Sequence, residues 1–177
     1  MLVATFGSLI GAFLPAYRTA HNAHASPTCT YHHCPRLPTA NMIASAGDEI
    51  PDALKRYLDI AGKAAVVYVV GPQGPELNEE YAETFAELKY ETVTVCPEQA
   101  VLSQTRVVAA PPNSVIGTAV QQGLGVSVFA EPNLCTYVVD ASGVIRALCT
   151  LPDRKGHAPF AVEACVKIAS SPEYLQS

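Results

Sequence analysis

Lys63-Ala64-Ala65-Val66-Val67-Tyr68-Val69-Val70-Gly71-Pro72 is the stretch on which the fold turns. Its apolar run is almost unbroken, rich in β-branched residues and closed by Gly71-Pro72, the pattern of a strand buried on both faces. Such a strand belongs at the centre of a sheet. Downstream, Leu77, Tyr81, Phe85 and Leu88 recur at helical spacing with Glu79, Glu80, Glu83 and Glu87 on the other faces, which predicts an amphipathic helix over 77–89. Thr92 to Cys96 alternates, with Val93 and Val95 on one side, and Pro97 ends it as a second strand. Strand, helix and strand in succession imply a right-handed parallel crossover.

The middle, 98–132, gives the weakest signal. Ser114 to Gln122 reads as a helix that starts after Pro111-Pro112 and stops at Gly123. Farther on, Cys135–Asp140 and Val144–Leu151 flank Ala141-Ser142-Gly143 and predict an antiparallel hairpin. A final helix begins near His157 with Pro159 in its first turn, carrying Val162, Cys165, Val166 and Ile168 inward. The order predicts an α/β domain with a thioredoxin-like central mixed sheet flanked by helices.

Composition bounds the partners. In 177 residues, 49% are hydrophobic and 15% charged, enough apolar material for one full core. A net charge of -5 and scattered cations exclude nucleic acid, which needs a clustered excess of Lys and Arg. Six widely spaced cysteines in a chain of this length point to a reduced compartment rather than a disulfide framework.

The N-terminal segment differs from the rest. The first acid is Asp48, where an even spread of acids would place about 4 upstream. Met1 to Leu14 is apolar but too short to span a bilayer. Tyr17 to Met42 carries Arg18, Arg36, hydroxyl residues, three prolines and no acid, so the two parts read together as a targeting address. Gly11-Ala12-Phe13-Leu14-Pro15 resembles the Ala-Phe-x-Pro cleavage signature of proteins imported into secondary plastids of algae. The expected organisation is a targeting segment or Pro/His-rich extension over 1–43 and a domain over 44–177, located in a plastid or otherwise soluble inside the cell, with no transmembrane span of its own.

Four short motifs now fall in order. Gly47-Asp48-Glu49-Ile50-Pro51-Asp52, Gly62-Lys63 before Val66-Val67-Tyr68, Thr136-Tyr137-Val138-Val139-Asp140 with Gly143, and Lys155-Gly156-His157 resemble those of the peroxiredoxin Q class, also called bacterioferritin-comigratory proteins. The resemblance covers about 125 residues and implies a thiol peroxidase frame. It also implies where the chemistry should be: a thiolate nucleophile on a Thr-Pro-x-Cys-Thr segment after the first strand, and an arginine two residues before the hairpin threonine. Neither is present. No cysteine occurs between Gly71 and Val95; the ungapped thiol position is Glu79, and the arginine position is Leu134.

Other sulfurs offer substitutes. Ser26-Pro27-Thr28-Cys29-Thr30-Tyr31-His32-His33-Cys34 resembles the family's active loop but lies upstream of the opening motif. On that reading Cys29 is peroxidatic and Cys34 resolving; on the other, the stretch is part of a tail with no scaffold beneath it. The same four Cys and His side chains cannot all turn to one tetrahedral ion, so no metal is expected. Cys96 reads as a regulatory or catalytic thiol, or as a small buried hydrophobe, and Cys135, Cys149 and Cys165 read as core. The expectation is a non-catalytic peroxiredoxin-like subunit with no cofactor, bound to a protein partner or a multisubunit complex, a photosynthetic one being the natural candidate. The alternatives are a divergent thiol peroxidase using Cys29 with Cys34, or Cys96, and a redox adaptor forming a mixed disulfide through Cys96 or Cys149.

Overall fold

A computed structural model describes residues 42–71, 81–98, 105–128, 134–150 and 154–171. The elements run α1 (Asp52–Tyr57), β1 (Ala65–Val70), α2 (Ala82–Glu87), β2 (Glu91–Cys96), β3 (Arg106–Ala109), α3 (Val115–Leu124), β4 (Leu134–Val139), β5 (Ile145–Cys149) and α4 (His157–Ala169), with a 3-10 turn over Arg154–Gly156. The sheet order is β3-β2-β1-β4-β5, with β1 central as its composition requires. Strands β1, β2 and β3 are parallel, β4 and β5 antiparallel to their neighbours.

Alternation along β1 divides the core in two. Ala65, Val67 and Val69 join Leu54 and Leu58 near α1, Val120 and Leu124 of α3, and Tyr137 in one cluster. Val66, Tyr68 and Val70 join Phe85 of α2, Leu134 and Val138 of β4, and Ala161 and Cys165 of α4 in the other. A sheet covered on both faces explains why β1 reads as a continuous apolar run. The mixed sheet with helices on both sides is the predicted architecture.

The sequence did not reveal α1 or β3. Six residues hold fewer than two helical turns, and β3 is half-buried at every position, so it shows no alternation. Long-range polar contacts fix both. The Arg106 guanidinium of β3 donates to the Leu58 carbonyl and reaches Asp59, tying the edge strand to the end of α1. Helix α3 continues past Gly123, its predicted stop. At Gly123 a Cβ would meet Leu54 Cδ2 at 2.7 Å, so the glycine permits the close approach of α1. The stop is Gly125, whose φ of 68° ends α3 in the left-handed conformation.

A Cβ on Gly125 would lie 1.9 Å from the Met42 carbonyl oxygen. Left-handed strain and a backbone clash therefore add, and Gly125→Ala is expected to lose at least about 2 kcal/mol of stability in urea unfolding. An alanine variant as stable as the parent would contradict the Met42 placement.

The hairpin turn is organised by Asp140. Its Oδ1 accepts from the Ser142 amide (2.9 Å), the Ser142 hydroxyl (2.6 Å) and the Val144 amide (3.0 Å), while Oδ2 accepts from Arg146 Nε (2.6 Å). Burial alone would raise the Asp140 carboxyl, but the donors from Ser142, Val144 and Arg146 outweigh it and hold it below its ordinary value. With the folded pKa depressed, the stabilisation is complete above the unfolded value of about 3.9 and disappears as pH falls through the folded one. Asp140→Asn is expected to lower stability at neutral pH and to flatten the acid side of the stability curve, read by circular dichroism from pH 2 to 6.

Candidate functional site

The carboxyl ends of the parallel strands are where an open α/β sheet places its chemistry. Here β1 ends at Val70-Gly71 and β2 at Cys96-Pro97, and antiparallel β4 begins beside them, with Leu134 paired to Val70. Helix α2 follows β1, entered through Tyr81 as its N-cap residue with no side-chain cap. Phe85 is the one described α2 side chain that is fully buried, and it packs in the cluster that holds Val70 and Leu134.

Chains of known structure share this fold. Peroxidoxin BcpB from Mycobacterium tuberculosis superposes with a TM-score of 0.51 at 18% identity, covering 71% of this chain and 99% of that one. Peroxiredoxin Q of Xanthomonas campestris gives 0.52 at 14%, over 71% and 99%. A thiol peroxidase from Chromobacterium violaceum gives 0.53 at 12%, over 78% and 93%. The fold is that of a peroxiredoxin. No family model matches the sequence, and no curated protein does. At these identities the likeness carries the fold and leaves the chemistry to the residues present.

On the peroxiredoxin frame, Leu134 occupies the position that the sequence motif assigns to arginine. It is 7% exposed, and its cluster neighbours Val66, Val70, Phe85, Val138 and Ala161 are all apolar. The matching thiol position, Glu79, lies outside the described residues, as do Pro72, Cys29, His32, His33 and Cys34. Of the three candidate catalytic cysteines, Cys29, Cys34 and Cys96, the structure therefore places Cys96 alone. Its position at the end of β2 is on the right edge of the sheet, but its state is wrong for a nucleophile. The side chain is buried, its Sγ donates to the Glu98 carbonyl at 2.8 Å, and burial pushes the thiol pKa up.

The other described cysteines are core, as expected. Burial pushes Cys135 up to about 11 and Cys165 up to about 12. Cys149 is buried where β5 pairs with Thr136. Inert thiols of this kind should resist alkylation: in native protein at pH 7, Cys96, Cys135, Cys149 and Cys165 are expected to label with maleimide only on unfolding. Peptide mapping that found any of them labelled within minutes would contradict these positions.

One buried polar pair escaped the sequence reading. The Thr136 hydroxyl and His157 Nδ1 are 2.8 Å apart, and both residues are almost fully buried. His157 is the first residue of α4, and its ring joins the helix to the middle of β4. Both belong to quoted motifs, Thr136-Tyr137-Val138 and Lys155-Gly156-His157, and this contact gives those motifs a structural purpose. Among the described residues, no group of three His, Cys, Asp or Glu side chains is placed to hold a metal ion.

Proposed function

We propose that this chain keeps the peroxiredoxin frame without peroxide reduction and serves as a structural or binding subunit of a larger assembly. The observation that supports it is Leu134, an apolar side chain buried at the position of the activating cation. A peroxidatic thiolate needs a neighbouring cation or helix dipole to form at neutral pH, and then needs donors for the peroxide oxygens. An isobutyl group supplies neither. The sulfur-free stretch from Gly71 to Val95 points the same way, since two losses that belong to one mechanism are more telling than one.

The leader-like composition of residues 1–43 supports a plastid location, and with it a photosynthetic complex as the assembly. No helix among the described residues is long and apolar enough to cross a membrane. Native-mass measurement of the endogenous protein tests the subunit reading: co-migration with partners is expected, and migration alone at 18.7 kDa or less would end it. The motif Thr28-Cys29-Thr30 with Cys34 favours a second reading, a divergent thiol peroxidase, which requires one of these sulfurs to serve the N-terminus of α2.

A further inference from the structure

The segment leading into α1 is built into the domain. The Ala44 amide donates to the Leu124 carbonyl at the end of α3 (2.9 Å), Gly47 to Ile145 (2.8 Å) and Ile50 to Gly143 (2.9 Å), while the Ile145 amide returns a bond to Asp48 (2.9 Å). Glu49 pairs with Val144 along the edge of β5. Side chains add to this: Ala44 and Ile50 are buried in the first core cluster and Ile43 packs against it. Lys55 clasps the segment from below, its ammonium 3.0 Å from Glu49 and 2.7 Å from Asp52. Its stem lies where a Cβ on Gly143 would be, 2.6 Å from Cδ. Before the segment, the Met42 side chain is 66% exposed while the Met42 carbonyl lies close against Gly125.

We propose that Ile43–Ile50 is a fixed strap that sets the limit of N-terminal processing: an endoproteolytic cut compatible with the folded domain falls at or before the Met42–Ile43 bond. Hydrolysis adds water across one amide, leaving a carboxylate on the upstream residue and an ammonium on the downstream one. At Ile43 that ammonium sits on a half-buried residue at the domain's edge. At Ala44 it would replace a buried amide that donates to Leu124, and a charge there is costly. Farther in, a protease would need an extended segment, whereas Ser45 to Asp48 is a closed turn, the Asp48 amide bonded to the Ser45 carbonyl and the Ser45 amide to Asp48 Oδ2. The proposal holds whether or not the preceding residues are a targeting segment.

Hydrogen exchange and limited proteolysis of the full chain, both read by mass spectrometry, test it. The amides of Ala44, Gly47 and Ile50 are expected to exchange as slowly as those of β4, and every proteolytic product that stays folded is expected to retain Ile43–Ile50. A product beginning between residues 45 and 50 that melts with the uncut chain would overturn the proposal, as would strap amides exchanging at the unprotected rate. Lys55→Met keeps the stem and removes the ammonium. It is expected to speed exchange at Gly47 and Ile50 by about tenfold without changing β1, and unchanged strap exchange would overturn the clasp.

Discussion

Leu134→Arg, which restores the cation that a peroxiredoxin site calls for, is expected to cost this protein about 3–5 kcal/mol rather than to revive it. Leu134 sits opposite Val70 on the central strand and contributes to an apolar cluster shared by α2 and α4. A guanidinium placed among these apolar side chains must either desolvate or drag the start of β4 toward water. Leu134→Met is the volume-matched control and should lose less than about 1.5 kcal/mol. Urea unfolding of the three proteins gives the comparison. A Leu134→Arg variant as stable as the parent would mean that the position is open to solvent and ready for a charge. Peroxide turnover by that variant would be harder still to reconcile with an apolar plug.

Phe85→Ala is the second large effect, also about 3–5 kcal/mol. Helix α2 spans only Ala82–Glu87 in the described chain, too short to hold itself, and an isolated segment of that length gains little from propensity. Phe85, 1% exposed, is the anchor that fixes it to Tyr68, Val70 and Leu134. Loss of the ring removes contacts from the second core cluster and leaves a cavity beneath α2. Exposed Glu83 and Glu87 on the same helix provide the contrast, since their replacement by glutamine should shift stability by less than about 0.5 kcal/mol. Thermal melting distinguishes an anchored helix from an ornamental one.

Much of this frame was legible in the chain because its strongest signals are central ones. The apolar run ending at Val70 is the middle strand, and Val93 and Val95 face the first core cluster as their alternation implied. Leu134 extends the predicted hairpin strand by one residue, and that residue is the one in question. What could not be read was fixed by contacts distant in sequence. Strand β3 is held by pairing to β2 and by Arg106 reaching α1, and neither leaves a periodic trace in four residues. Gly123 and Gly125 look alike as letters; only the approach of Leu54 to one and the left-handed turn at the other assign their roles. For the site, absence of a residue type was the readable signal. Cys96 shows the limit, because its position suits catalysis while its burial, visible only in three dimensions, pushes the thiol pKa up.

The most direct test of a peroxiredoxin frame without peroxidase chemistry is steady-state hydrogen peroxide consumption by the purified full chain with a dithiol reductant, alongside Cys29→Ser, Cys34→Ser and Cys96→Ser variants. The expected result is a rate equal to the reductant-only background for all four proteins. Turnover above that background that vanishes in Cys29→Ser or Cys96→Ser would contradict it and make the chain a working thiol peroxidase.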